Sequence, residues 1–341
     1  MNLELLKNPP EEFDKLFVGL SGGLDSVALL YLLLDKYSVS LPGKKKKKNS
    51  LIEVVHVNHN LQSDSQKFQD FCEMICKNAG VKLRCISVKV LESEKKKFGI
   101  EAAARKRRYE AFASIIDNSK DLLVLGHHLD DQLETVFLQW IRGAGLNGLT
   151  GMIEFSKKTI LNKIVKVWRP ILGFSREEIY AYAVQNKLDW VEDHSNKNLD
   201  FDRNNLRAHI IPKLVLMRKG AKKNMYRSIK HLQNVRDNMN LMLNESLSEC
   251  VKIQEIDEVF GNSSVLVKSK FLKLDNELQP EVLRLWLFKG GCKMPSSARL
   301  KEIIRQVKFS SSRSLYFKLE SEEKSFCITA SKTEISLSVI I

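Results

Sequence analysis

Apolar strand-like runs alternate with helical patterns along the first half of this chain, and this alternation constrains the fold more than any other feature. Each strand-like run except the last is followed by a helical pattern, as in the pairs Leu16–Leu20 with Asp25–Lys36 and Asp121–Gly126 with Asp131–Ile141. Strict alternation predicts βαβ units with parallel strands. We therefore expect an α/β, Rossmann-like parallel five-stranded sheet with helices on both faces. The other three strands are expected at Leu51–Val57, Lys82–Val88 and Ile164–Pro170.

The second half of the chain has a different pattern. From about Ser175 it is mainly helical, and it ends with helical segments followed by the β-like runs SLYFKL, FCITA and ISLSVII. A chain of 341 residues is too long for one ordinary domain. We expect a first domain over residues 1–215 and a C-terminal region over 216–341, helical at first and then a small α+β domain.

The charge balance points to a polyanionic partner. The chain has 55 Lys and Arg residues against 41 Asp and Glu, a net charge of +14. Nucleic acid is the partner that this balance favours, and no basic amphipathic segment favours a membrane surface instead. The run Lys44–Lys48 is interpreted as a solvated loop or as a contact to the phosphate backbone. The N-terminal residues lack the pattern of a secretory signal, so we expect a cytoplasmic protein with no membrane partner.

The six cysteines offer no recognisable metal or redox motif. No C-x-x-C pair occurs, which leaves a zinc ribbon or a thioredoxin-like site without support. We expect the cysteines to be small buried apolar residues.

The stretch SGGLDS directly follows the first strand and opens a helix. The first amides of a helix have no intrahelical acceptor, and the helix dipole adds partial positive charge there. Glycines let the backbone approach a phosphate closely. The turn is therefore a candidate phosphate site, and Asp25 fits it as a ligand of Mg²⁺ bridging to phosphates, or else as an ordinary helix cap. The candidate residues are Ser21, Gly22, Gly23, Leu24, Asp25 and Ser26.

A second polar loop, GHHLDDQLET, follows the fourth strand. His127 and His128 are candidates for contacting phosphate, and the acids for binding Mg²⁺ or a cationic substrate. Asp131 and Glu134 are three residues apart and share a helix face. A metallohydrolase site is the competing interpretation. Ligands of open parallel sheets bind at the carboxyl ends of the strands, so we expect the loops 21–26, 56–60 and 126–131 to converge.

Two further stretches are rich in groups that bind anions. Four consecutive basic residues, Arg105–Arg108, cannot all share one helix face. They are interpreted as a solvated basic face or as contacts to RNA or a nucleotide. The polar stretch Glu192–Arg207 carries Arg203 and Arg207, each able to bind a phosphate or a carboxylate with two hydrogen bonds.

Taken together, these stretches resemble the PP-loop (N-type) ATP pyrophosphatases and, among them, the tRNA(Ile)-lysidine synthetase family. The segment 283–303 is similar to the first C-terminal domain of that family, and we expect the chain to lack the further domain of longer members. The resemblance covers most of residues 16–214 and rests on LSGGLDSVALL, GIEAAARKRRYEAF, GHHLDDQLETVFLQWIRGAGLNGLTGM, RPILGFSREEIYAYAVQNKLDWVEDHSN and DRNNLRAHIIPKL.

The resemblance implies a ligase that forms a carbon–nitrogen bond. Such an enzyme uses ATP and Mg²⁺ to join free lysine to carbon 2 of the wobble cytidine of tRNA(Ile) with a CAU anticodon. The reaction passes through an adenylated cytidine, releases AMP and pyrophosphate, and changes the codon that is read from AUG to AUA. The first domain would then be catalytic and the C-terminal region would bind tRNA.

The resemblance also implies roles for individual residues. The turn Ser21–Ser26 would bind ATP with Asp25 near Mg²⁺, and His127 would lie near the α-phosphate. Lysine would be bound by Asp131, Glu134 and Arg203, and Arg107 would face the nucleotide or the cytidine. The residues implied to be catalytic are Asp25, Asp131 and Glu134, the last two as acceptors of the lysine proton.

Departures and alternatives remain. Gln62 and His194 stand where many members have arginine and proline, which bears on loop shape and tRNA contacts. The alternative enzyme is a PP-loop tRNA thiolation enzyme, which needs cysteines at the site, whereas Cys72, Cys76 and Cys85 are expected away from the loops. A non-catalytic RNA-binding protein would explain the charge but not the phosphate turn. A homodimer is compatible with the sequence.

Overall fold

The computed structural model describes residue 6 and the ranges 8–37, 51–59, 65–192, 202–253, 264–292, 295–309, 315–320 and 325–340. The run Lys44–Lys48, Gln62 and His194 lie outside the described residues. The chain divides into two compact units, Met1–Leu232 and Gln233–Ile341, and the division falls inside a long helix.

The first unit is built on a six-stranded sheet with the order β3-β2-β1-β4-β6-β5. The five predicted strands are present and parallel, which confirms the predicted sheet. The sixth strand, β5, was not predicted; it pairs antiparallel to β6 at the edge. The strands are β1 (Leu16–Gly19), β2 (Ile52–Asn58), β3 (Lys82–Ser87), β4 (Leu122–Val124), β5 (Phe155–Ile160) and β6 (Lys163–Trp168).

Helices cover both faces of this sheet, as predicted. Alternate residues of β1 point to opposite faces, so Val18 joins a core with the helices after β1 and β2, while Phe17 joins a core with Phe112. The helices are α1 (Leu24–Tyr37), α2 (Ser65–Ala79), α3 (Glu92–Phe98), α4 (Ile100–Ile115), α5 (Leu129–Ile141), α6 (Leu146–Leu149), α7 (Arg176–Gln185), α8 (Asp202–Asn205), α9 (Ile211–Met217) and α10 (Ala221–Cys250). A π-helical turn, Leu206–Ile210, joins α8 to α9.

The strand order reverses between β1 and β4. From β1 the chain proceeds through β2 and β3 on one side, and it returns to place β4 on the other side of β1. In open parallel sheets this switch point opens a crevice at the carboxyl ends of the two strands. The turn 20–26 follows β1 and the loop 125–131 follows β4, so both candidate loops lie at the switch point.

The second unit confirms the predicted helical region followed by a small α+β domain. It contains the rest of α10 and an antiparallel sheet of order β7-β8-β11-β10-β9 around Trp286 and Phe271. No described helix is long and apolar enough to cross a membrane. The remaining elements are β7 (Val251–Ile253), β8 (Ser264–Val267), α11 (Lys268–Lys273), α12 (Leu278–Lys289), α13 (Ser297–Phe309), β9 (Leu315–Glu320), β10 (Ser325–Ala330) and β11 (Glu334–Ile340).

Candidate active site

The turn after β1 is held in shape by its own hydroxyl groups. Ser26 Oγ accepts a hydrogen bond from the Ser21 amide at 3.1 Å and donates to the Gly23 carbonyl at 2.9 Å. Ser21 Oγ lies 3.0 Å from Ser26 Oγ. Because the hydroxyls bind the turn itself, the anion donors that remain are the first backbone amides of α1. The serines therefore shape the turn that is the candidate phosphate site.

Gly22 has a φ of +88°, a conformation that other residues rarely adopt. A Cβ at this position would also lie 3.4 Å from the Cys72 sulfur. Cys72 therefore packs directly beneath the turn, and the expectation that it lies away from the candidate loops is wrong. The sequence did not reveal this, because the contact joins residues 50 positions apart and depends on tertiary packing.

The three predicted loops do converge. A Cβ on Gly126 would lie 3.1 Å from the Asp25 carbonyl oxygen, so the loops after β1 and β4 are in backbone contact. From β2, the His56 imidazole lies 2.9 Å from the Leu20 carbonyl. His59 continues the third loop and hydrogen bonds to Arg108 at 3.3 Å. Asn60 lies outside the described residues.

His128 links the carboxylates of the site. Its Nε2 lies 3.5 Å from both Asp25 Oδ2 and Asp131 Oδ2, and its Nδ1 accepts the Asp130 amide at 3.2 Å as the N-cap of α5. Burial alone would lower the pKa of His128, but the charges of Asp131, Asp25 and Asp130 outweigh it and raise that pKa to about 8. His128 therefore lies among three carboxylates, and a contact from it to phosphate stays a prediction.

His128 accepts the Asp130 amide hydrogen bond only as a neutral imidazole, in which Nδ1 carries no proton. The raised pKa favours the imidazolium near neutral pH. In that form Nδ1–H would turn from the amide to Asp130 Oδ2, which is 3.7 Å away.

Glu134 and Arg207 form a bidentate ion pair beside Asp131. Arg207 Nε and one terminal nitrogen donate to the two Glu134 oxygens at 2.8 and 3.1 Å, and the same terminal nitrogen lies 3.6 Å from Asp131 Oδ1. The Glu134 side chain is completely buried. Burial raises its pKa, and Arg207 opposes that rise. The site thus holds a cation between two acids.

The remaining acid of this loop serves the structure. Asp130 binds Lys222 at 2.5 Å and accepts the Arg176 amide at 2.9 Å, which ties α5 to the first turns of α7 and α10. Burial would raise its pKa, but the hydrogen bonds from Lys222 and the Arg176 amide, together with the charges of Lys222 and His128, outweigh burial and lower it. Asp130 therefore has its partners within the protein.

Two predicted arginines are paired with acids other than Asp131 and Glu134. Arg203 pairs with Glu101 at 3.4 Å, and Arg107 pairs with Glu94 at 2.9 Å and Glu110 at 3.1 Å. The cation beside Glu134 is Arg207, which the sequence singled out only as one of two anion-binding arginines. Helical spacing could have shown that Arg105 and Arg108 share a face that Arg107 does not.

His127 lies on the basic side of the site. Its Nδ1 is buried and has no hydrogen-bond partner in the part of the chain that the structure describes. Burial and the positive charges of Arg169, Arg105 and Arg108 hold its pKa well below the ordinary value. His127 is therefore neutral at pH 7 and can exchange hydrogen bonds with a ligand.

The residues present fit a Mg²⁺ that is shared with a phosphate ligand. Asp25 Oδ1 is buried and lacks a partner among the described residues. No cluster of three or more His, Cys, Asp or Glu among those residues is arranged to hold a metal by itself. A single carboxylate together with phosphate oxygens is the usual Mg²⁺ arrangement at nucleotide sites, whereas a metallohydrolase needs a larger ligand set.

Family models match segments of both units. Residues 2–214 match the family model described as a PP-loop domain, and residues 266–319 match the model described as a TilS substrate binding domain. Among curated relatives, the tRNA(Ile)-lysidine synthase of Legionella pneumophila (strain Paris) is 34% identical over 300 residues, covering 88% of this chain and 63% of the relative. That of Buchnera aphidicola subsp. Baizongia pistaciae is 36% identical over 290 residues, covering 85% and 61%. The chain thus spans a little over three fifths of these relatives.

Among solved structures, the U34-tRNA thiolase NcsA from Methanococcus maripaludis, with its [4Fe-4S] cluster, superposes with a TM-score of 0.52. It is 20% identical, and the match covers 67% of this chain and 76% of that one. This likeness concerns the fold. The matched PP-loop model covers more than half of the sequence. The matched region contains both the turn after β1 and the acid pair after β4, which lie at the same switch point of the sheet. The chain therefore belongs to the PP-loop domain family.

Proposed function

We propose that this chain is an ATP-dependent ligase that joins lysine to carbon 2 of the wobble cytidine of tRNA(Ile) with a CAU anticodon. The observation that carries the proposal is a cation-binding acid pair, Asp131 and Glu134, at the loop after β4. That loop is in backbone contact, through Gly126, with the proposed phosphate-binding turn at Asp25. Both matched families and the names of the curated relatives support it.

In this proposal the nucleotide binds at the turn Ser21–Ser26. The first amides of α1 hold its phosphates, and Asp25 Oδ1 is a ligand for Mg²⁺, which would neutralise charge on the departing pyrophosphate. His127 is neutral and donates or accepts a hydrogen bond near the α-phosphate without adding charge. This assignment accounts for a carboxylate in an anion site.

The acid pair binds the lysine ε-ammonium in place of the guanidinium that now lies between the two acids. An ammonium is no nucleophile, so one of the carboxylates must accept its proton before attack. Displaced from Glu134, Arg207 is well placed to bind the lysine carboxylate. Arg203 is the second candidate for that role.

The chemistry proceeds in two transfers. The carbonyl oxygen on carbon 2 of the cytidine attacks the α-phosphate, so pyrophosphate leaves and the base is adenylated. The lysine amine then attacks carbon 2, and AMP leaves with the original carbonyl oxygen. The net charge of +14 favours the polyanionic tRNA as the second substrate.

One assay tests the proposal. Purified protein is incubated with ATP, Mg²⁺, labelled lysine and an isoleucine tRNA transcript bearing CAU, with a methionine tRNA of the same anticodon as the control. Label is expected only in the isoleucine tRNA. Failure to incorporate lysine into either transcript would overturn the proposal, and incorporation of sulfur from a thiol donor would favour tRNA thiolation. Pyrophosphate exchange into ATP that depends on tRNA excludes a non-catalytic RNA-binding protein.

A further inference from the structure

Three cations surround Tyr109 on the side of β4 that faces away from β1. Arg105 from α4 and Lys158 from β5 lie 5.4 and 5.5 Å from the centre of the Tyr109 ring. Arg169, which follows β6, is buried. It lies close enough to Tyr109 and Arg105 for both to affect its pKa. We call Arg105, Tyr109, Lys158 and Arg169 the Tyr109 cluster.

The Tyr109 cluster has no counter-charge. Among the described residues no carboxylate lies within 4 Å of its three cations, whereas their neighbours Arg107 and Lys157 are paired with Glu94 and Glu11. Like charges gathered in this way repel one another, and an anion would relieve that repulsion. A site that has evolved around an anionic ligand explains the arrangement.

Two buried polar atoms of the Tyr109 cluster make no close hydrogen bond to another described residue, and their two side chains lie close enough to interact with each other. These are Arg169 Nε and the Tyr109 hydroxyl oxygen. The rest of the Arg169 guanidinium is fixed, because one terminal nitrogen donates to the Ile153 carbonyl at 2.7 Å and to Ser156 Oγ at 3.1 Å. The guanidinium is thus held beside the Tyr109 hydroxyl, and no carboxylate among the described residues balances its charge.

The position of the Tyr109 cluster favours a phosphate of RNA over one of ATP. The turn after β1 already offers backbone amides to the nucleotide, and the Tyr109 cluster lies across β4 from it, next to the edge strand β5. Lys158 is exposed there, where a long polymer can reach it. The positive charges of Arg169 and Arg105 lower the pKa of His127, so the Tyr109 cluster adjoins the candidate active site.

We propose that the Tyr109 cluster binds a phosphodiester of the RNA backbone next to the nucleotide that reacts. The inference rests on the proposed function in so far as RNA is the substrate. Lys158 and Arg105 supply charge to the phosphate oxygens, and the buried Arg169 adds positive charge beneath them. The contact would hold the backbone beside the nucleotide without reading its sequence.

The test compares Lys158→Gln and Arg105→Gln with Lys157→Gln, a neighbour on the same strand that loses the same charge but is bound to Glu11. Binding of an anticodon stem-loop RNA is measured over a range of salt concentrations, and binding of Mg²⁺–ATP is measured separately. Each cluster variant is expected to bind RNA about tenfold more weakly and with a salt slope lower by about one. Lys157→Gln is expected to match the wild type, and Mg²⁺–ATP binding is expected to be unchanged throughout.

Two results would overturn the inference. One is RNA affinity and salt slope that are the same in Lys158→Gln, Arg105→Gln and Lys157→Gln. The other is weaker Mg²⁺–ATP binding with unchanged RNA binding, which would assign the Tyr109 cluster to the nucleotide. Because the binding assay needs no turnover, it is independent of the lysine incorporation assay. A wild type that incorporates lysine together with unaffected cluster variants would refute this inference alone.

Discussion

Arg207 binds both carboxylate oxygens of Glu134, a completely buried residue that lies 73 positions earlier in the chain. The pair fixes the π-helical turn Leu206–Ile210 against the start of α5. π-Helical turns are rare and are found disproportionately at functional sites. The pair therefore serves both to stabilise the first unit and to hold a cation where an amine substrate is proposed to bind.

Arg207→Met is expected to lower the free energy of unfolding by about 2 kcal/mol, because the Glu134 carboxylate would stay buried without its partner. It is also expected to raise KM for lysine at least tenfold. Denaturant titration and steady-state kinetics check the two effects. Arg203→Met is the control: its pair with Glu101 is more exposed, so stability should change by less than about 0.5 kcal/mol. A higher KM in Arg203→Met alone would assign the lysine carboxylate to Arg203.

Gly126→Ala is expected to destabilise the protein by about 1–3 kcal/mol and to weaken ATP binding. The new Cβ would lie 3.1 Å from the Asp25 carbonyl oxygen and 3.3 Å from its carbon, and backbone atoms cannot move aside as a flexible side chain can. Gly145→Ala is the matched control, since nothing lies within 4 Å of its Cβ and its φ is −75°. Thermal melts with and without Mg²⁺–ATP measure both effects. Equal melting temperatures for the two variants would contradict the close approach.

Alkylation of the native protein is expected to modify Cys85 first, because it is the one exposed cysteine. Burial, together with the nearby Cys85, raises the pKa of Cys76 to about 12, and burial also raises the pKa of Cys72 far above its ordinary range. We expect these two thiols to react ~100-fold more slowly until the chain is unfolded. Peptide mass spectrometry after iodoacetamide treatment measures the order. Rapid labelling of Cys72 would favour tRNA thiolation as the reaction. Loss of activity in Cys85→Ser would favour it as well.

Glu53→Gln tests an acid-dependent part of the stability. Burial would raise the pKa of Glu53, but hydrogen bonds from Arg84 and Lys82 outweigh burial and lower it from 4.5. A carboxyl whose folded-state pKa is depressed stabilises the fold above its unfolded pKa and stops doing so as the pH falls through the folded value. Wild type should therefore exceed Glu53→Gln by about 1–2 kcal/mol between pH 6 and 8.

That difference should shrink below pH 4.5. Denaturant titrations at several pH values give the curve. Glu92→Gln, whose carboxyl is exposed in a pair with Lys95, should show no such dependence. A gap between wild type and Glu53→Gln that is constant down to pH 3 would exclude the charge as its origin.

The parallel strands could be predicted because each is an apolar run between helical patterns. The edge strand β5 could not. Its sequence, FSKKTI, has no apolar alternation, and it is paired through a two-residue turn in which Leu161 and Asn162 both have positive φ. Leucine seldom adopts that conformation, so the sequence carried no hairpin signal there.

The site could be predicted to the level of its loops, while individual arginines required the structure. Arg203 and Arg207 are equally plausible from the sequence. The π-helical turn that begins at Leu206 changes the phase of the helix, so spacing does not show which arginine reaches Glu134. Arg107 of α4 forms an ion pair with Glu94 of the preceding helix, and the position of Glu94 depends on tertiary packing.

The contact between Gly126 and Asp25 has a thermodynamic consequence. The loops that carry the two proposed binding sites touch through their backbones, so neither can shift without displacing the other. Linkage then makes any coupling reciprocal: a nucleotide that tightens the grip on lysine by some factor is itself held more tightly by that same factor when lysine is present. The affinity of each ligand measured alone would therefore differ from its affinity in the ternary complex, and the factor would be the same for both ligands.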